Sequence, residues 1–165
     1  MIDVLNHYLT EMSDAIMDHG GTLVAYMGDG IMAIFGAPLE QADHAARALA
    51  AAQEMLGSRL EAFNEWLLAT AIADEPIRMG IGLNSGEVMS GNVGSPNRLE
   101  YTAVGDTTNT ASRLEGMTKG TPHTLFVAGS TRELAERDGA SGLTLVGEMD
   151  VRGRDGTLEV WSLDG

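Results

Sequence analysis

The chain contains no cysteine, which excludes disulfides, thiol catalysis and zinc sites built on thiolates. Cations are scarce as well: ten Lys and Arg stand against 24 Asp and Glu, for a formal charge of −14. A surface of that sign repels nucleic-acid backbones and anionic membranes, so neither is expected as a direct partner. A nucleotide would have to be met by a few locally placed cations or by bound metal, and each basic residue near a glycine or in a loop gains weight accordingly. No apolar run approaches the length of a membrane span, and the N-terminus has neither the basic start nor the apolar middle of a signal peptide. A cytoplasmic location is the expectation, with any anchoring left to other parts of a larger parent protein. The 165 residues suffice for one core, and a 44% apolar fraction excludes wholesale disorder.

Periodicity divides the chain. Ile2, Leu5, Leu9, Met12, Ile16 and Met17 recur at helical spacing up to a stop at Gly20-Gly21. Two short strand-like runs, Thr22 to Met27 and Gly30 to Phe35, meet at Gly28-Asp29-Gly30 and predict a hairpin with Asp29 at its tip. Gln41 to about Ala73 is Ala-rich and predicted helical, and Pro76 to Leu83 resumes as a strand. Glu87 to Met89 is a brief extended piece before the glycine-rich Ser90–Pro96. That segment is read as a loop or flap in preference to a phosphate cradle, since neither a following lysine nor a long helix accompanies it. Leu125 to Ala128 predicts a strand, Ser130 to Arg137 a short helix capped by Ser130, and Leu143 to Met149 and Leu158 to Leu163 the closing strands. The pattern predicts an α+β fold, a mainly antiparallel sheet with helices covering one face.

The stretch that organises the chain is Leu99 to Leu114. A strand through Tyr101–Val104 turns at Gly105-Asp106 into a helix bearing Asn109 and Arg113 four residues apart, hence on one face. An amide beside a fixed cation is a plausible seat for a phosphate-bearing ligand. Alone, the pair reads more often as a solvated helix face, and Asp29 alone more often as a turn former than as a metal ligand. His7, His19, His44 and His123 lack metal-ligand spacing.

Five motifs in order change that balance. They are Gly20-Gly21-Thr22 with Gly28-Asp29-Gly30-Ile31-Met32-Ala33-Ile34-Phe35-Gly36-Ala37-Pro38, then Asp43-His44-Ala45, then Gly80-Ile81-Gly82 with Ser85-Gly86-Glu87-Val88, then Gly91-Asn92-Val93-Gly94, and last Tyr101-Thr102 with Gly105-Asp106, Asn109, Ala111 and Arg113. Over nearly its whole length, residues 1–165, the chain closely resembles the catalytic domain of class III nucleotidyl cyclases, the adenylate and guanylate cyclases of bacterial type. The resemblance implies a ferredoxin-like fold and conversion of ATP to 3′,5′-cyclic AMP and pyrophosphate by intramolecular phosphoryl transfer. It also implies two Mg²⁺ or Mn²⁺ ions held between two aspartates, of which Asp29 matches one. Asn109 matches the residue orienting the ribose, and Arg113 the one stabilising charge on the α-phosphate. Arg152, with Arg154 beside it, falls where the family usually places a lysine on the triphosphate. Thr102 falls at one of two base-reading positions. The other, commonly lysine in adenylate cyclases, is Ala25, which keeps GTP open as a substrate, and a non-catalytic nucleotide-binding or regulatory role is the further alternative.

The family's first metal aspartate lies on a strand upstream of the helix with which this sequence opens, so the first strand and helix of the fold are expected to be missing and the chain as given is expected to show little or no cyclase activity. In the family two domains pack head to tail, one giving the metal aspartates and the other the Asn and Arg. Since this chain carries residues of both kinds, the resemblance implies a homodimer with two composite sites.

Overall fold

The computed structural model describes residues 2–151 and 156–163, the side chains of 98–100 excepted. Helix α1 (Ile2–Asp18) stops where its glycines require. Gly20 takes a positive φ of 85°, and the amides of Gly20 and Gly21 return to the carbonyls of Met17 and Ile16 at 3.0 and 2.9 Å. This is the two-bond left-handed cap that glycine makes at least cost. Strands β1 (Thr22–Met27) and β2 (Gly30–Ile34) then pair antiparallel, with a bulge between Leu23 and Ala25. Met12, Ala15 and Ile16 of α1 form a buried cluster under Leu23, Ile31 and Ala33 of this hairpin.

The single helix expected over Gln41–Ala73 is broken. Helix α2 (His44–Glu54) runs into a π-helical turn, Met55–Arg59, and then α3 (Leu60–Ala69). Gly57 leaves helical geometry at the turn (φ −93°, ψ −106°), which a residue without Cβ tolerates. Arg59 holds the joint: it reaches Glu54 at 2.9 Å, Asp18 at 3.0 Å and Glu11 at 3.4 Å. The Arg59 guanidinium holds the Glu54 carboxyl below the usual carboxylate range, and Glu54 in turn raises Arg59.

The strand expected over Pro76–Leu83 shrinks to β3 (Ile81–Leu83). Its approach is extended, but Ile77 is bonded by a side chain instead of a strand, with both its amide and its carbonyl paired to Asn64 at 2.9 and 3.1 Å. The glycine-rich segment expected as a loop is strand β4 (Met89–Ser95), paired antiparallel with β5 (Arg98–Val104) from Met89↔Val104 to Ser95↔Arg98. Glycine disfavours a strand, yet an unbroken cross-strand ladder satisfies the backbone there irrespective of side chains. Gly105 (φ 138°) turns the chain into α4 (Asp106–Met117).

Strands β6 (Leu125–Ala128), β7 (Leu143–Asp150) and β8 (Thr157–Leu163) complete a four-stranded sheet of order β3-β6-β8-β7, in which β3–β6 is the parallel pair. Helix α5 (Gly129–Arg137) starts one residue before the expected Ser130 cap. The Ser130 hydroxyl is instead donated to the Ser85 carbonyl at 3.1 Å. Helices cover both faces of the sheet, against the expectation of one. Leu125 and Val127 pack with Ala45, Leu49 and Ala52 of α2 and Ala135 of α5, whereas Phe126 and Ala128 pack with Leu114 of α4. All four β6 residues are buried, which is why the run Leu-Phe-Val-Ala shows no alternation. Leu49, 2% exposed in this layer, should cost about 3 kcal/mol when truncated in Leu49→Ala, measured by urea unfolding at unchanged m-value.

Candidate active site

The site is built on α4. Against β3 the helix presents Ala111, Leu114, Glu115 and Thr118, since a Cβ added to Gly82 would lie 2.5 Å from the Glu115 amide and 3.0 Å from Leu114, and one added to Gly80 would overlap the Thr118 hydroxyl. At ~100° per residue, Asn109 and Arg113 then fall on the opposite side of the helix. Asn109 is exposed and Arg113 half-buried. The hydroxyls that open the helix are engaged locally, Thr108 with the Gly105 carbonyl at 2.8 Å and Thr107 with the Glu87 carbonyl at 2.7 Å.

In so acidic a chain the pairing of cations is informative. Arg47, Arg59 and Arg132 each meet carboxylates, and Arg78 is spent on carbonyl oxygens. Arg113, like Lys119 and Arg137, has no ion-pair or hydrogen-bond partner among the described residues, and of the three it is the half-buried one. A half-buried guanidinium left without its own carboxylate is available to an anionic ligand.

The other sequence-predicted residues are spread out. Thr102 lies on β5 opposite Gly91, and β1, bearing the exposed Ala25, packs beside β5. Asp29 is exposed at the tip of the β1–β2 hairpin. Burial, with the nearby charges of Asp29 and then Glu115, raises the Tyr8 hydroxyl. Arg152 and Arg154 lie outside the described residues. A cavity of about 460 Å³ lined by Asn84, Ser85, Thr107, Ser130, Glu133 and Glu159, and an open groove past Met89, Val104 and Asp106, both omit Asp29, Asn109 and Arg113. Among the described residues no group of three or more His, Asp or Glu side chains is placed to hold a metal ion. Asp29 would supply one of the two carboxylates of the metal centre that the resemblance implies.

Two residues that the sequence reading passed over support α4 directly: Asn84, whose Nδ2 donates to the Thr107 carbonyl at 3.1 Å, and Arg78, whose Nη2 donates to the Thr121 carbonyl at 2.7 Å. Their only signal in the sequence is the period-two spacing with Gly80 and Gly82.

A family model described as the adenylate and guanylate cyclase catalytic domain matches residues 1–165. The chain belongs to this family. Cyclase relatives agree. The chain is 32% identical over 168 residues to adenylate cyclase 1 of Rhizobium meliloti, covering 100% of this chain and 24% of that protein. It is 34% identical to the adenylate cyclase of Anabaena cylindrica, covering 96% of this chain and 31% of the relative, so it spans about a quarter to a third of such relatives. Among solved structures it is similar to the guanylyl cyclase Cya2 (TM-score 0.85, 37% identity, 99% of this chain and 80% of that one). It is also similar to the adenylyl cyclase CyaB from P. aeruginosa (TM-score 0.87, 28% identity, 99% and 82%). The cyclase domain thus has the expected α+β, ferredoxin-like architecture. No helix among the described residues is long and apolar enough to cross a membrane.

Proposed function

We propose that this cyclase domain converts ATP to 3′,5′-cyclic AMP and pyrophosphate, working as a head-to-tail homodimer. The observation that carries the reading is the outward face of α4, where Asn109 and an Arg113 without a partner among the described residues stand one turn apart on a helix braced against the sheet. In the proposed reaction the ribose 3′-oxygen forms a bond to the α-phosphorus, the bond from that phosphorus to the bridging oxygen breaks, and pyrophosphate leaves. Asn109 would hold the ribose so that its 3′-oxygen is aligned for attack, and Arg113 would neutralise the charge that gathers on the α-phosphate oxygens. A fork of donors that cannot lose its proton suits that task. The homodimer is supported by the exposed apolar side chains Tyr26, Met27, Met89, Val93 and Val104 on β1 and the β4–β5 hairpin. A partner copy bringing its Asp29 to the Arg113 face would cover such a surface. One solved relative is a guanylate cyclase domain from Catenaria anguillulae in complex with GTP (TM-score 0.82, 30% identity, 100% of this chain and 84% of that one), which supports a nucleotide as the ligand.

Thr102 and the adenylate cyclase relatives favour ATP. GTP is the second reading, and Ala25 favours it, because a methyl group donates no hydrogen bond to adenine. The test is to incubate the chain, alone and extended at its N-terminus with the family's first strand, with ATP or GTP and Mn²⁺, and to measure cyclic product. Product is expected from at least one of the two, taken below as the active form, and failure of both with both nucleotides would leave the binding or regulatory role. In the active form, Ala25→Lys should shift the ATP-to-GTP ratio of kcat/KM about tenfold towards ATP, the size of one charge-assisted hydrogen bond.

A further inference from the structure

One face of a single extended segment spans the length of α4. Arg78, Gly80, Gly82 and Asn84 alternate along residues 78–84, so they share the side of β3 turned to the helix, while Ile81 and Leu83 point into the core on the other side. At one end the Asn84 amide donates to the Thr107 carbonyl in the first turn of α4 at 3.1 Å, its Oδ1 accepting from the Ser130 hydroxyl at 3.4 Å. At the other, Arg78 Nη2 donates to the carbonyls of Thr118, Thr121 and His123 just past the last turn. Between them Gly80 and Gly82 leave no side chain, and any Cβ there would collide with backbone or side-chain atoms of residues 111 to 118. The glycines set how closely the helix lies on the sheet, and the two polar ends fix where it stands along its axis.

We infer that the 78–84 face is an alignment device for the reacting face of α4, with Asn84 and Arg78 as positioning residues for Asn109 and Arg113; this rests on the roles proposed for that pair. Neither positioning residue is on the outward side of the helix. Their effect is to hold the amide and guanidinium at a fixed height and register, and a displacement of about 1 Å at a reacting geometry costs on the order of a hundredfold in rate.

The experiment compares Asn84→Asp, Asn84→His and Arg78→Gln with wild type, in the active form of the chain. Aspartate matches asparagine in shape and still accepts from Ser130, but it cannot donate to the Thr107 carbonyl. Histidine restores an N–H, Nδ1, at the same distance from Cβ. Asn64→Ala, which removes two hydrogen bonds to Ile77 but nothing on α4, controls for general loosening. The expected result is that Asn84→Asp and Arg78→Gln lower kcat at least about tenfold with KM within about threefold. Amide exchange across 106–117 should quicken about tenfold relative to β6. Asn84→His should recover most of both losses, and Asn64→Ala should keep kcat within about twofold. Unchanged α4 exchange, or a kcat for Asn84→Asp equal to that of Asn64→Ala while Arg113→Ala is inactive, overturns the alignment role. If Arg113→Ala keeps full turnover, the proposed function fails instead, and the exchange pattern alone then decides whether the segment aligns α4.

Discussion

Arg113→Ala in the active form of this domain is expected to lower cyclic-nucleotide formation about 10²–10³-fold at saturating nucleotide, with a smaller change in KM. The size follows from what surrounds the residue. Arg47, Arg59, Arg78 and Arg132 are committed to carboxylates or carbonyls, so none of these four is free to replace the lost guanidinium. Lys119 lies just past the end of α4 and, by helical spacing, far round from the Asn109–Arg113 face. Arg113→Lys should recover only part of the loss, because an ammonium keeps the charge but not the bidentate fork. The measurement is the initial rate of cyclic product against nucleotide concentration. A rate for Arg113→Ala within threefold of wild type would remove Arg113 from the chemistry.

Two variants inactive alone should become active when combined. In the proposed head-to-tail dimer, Asp29→Asn and Arg113→Ala each damage both sites, one on each side of the composite. In a mixed dimer one site inherits both defects and the other inherits neither. Random pairing of equal amounts makes about half the dimers mixed, each with one intact site of two, so co-expression should restore about a quarter of wild-type activity. A site complete within one chain would give no recovery. This experiment reads whether Asp29 and Arg113 serve one site from a single chain or from two.

How much of this was legible in the sequence depended on whether a feature is set locally. The stop at Gly20-Gly21, the Asp29 hairpin and the turn into α4 are each made by a few consecutive residues, and each stands where the pattern put it. The break at Gly57 was hidden because the alanine-rich run carries helical propensity through it, and the kink is held by Arg59 against carboxylates on α1 and α2. The glycine-rich β4 looked like a loop because its backbone is satisfied by β5 rather than by any propensity of its own.

By itself the sequence determined the family, through motifs spread along the whole chain, and those turns, caps and helix faces that a few consecutive residues set. Tertiary structure alone decided that helices cover both faces of the sheet, that Asn109 and Arg113 face away from β3, and that Arg78 and Asn84 grip the two ends of α4. Such facts depend on which backbone atoms come together across tens of residues, as between Asn84 and Thr107 or Arg78 and Thr121, and local periodicity carries no record of that distance.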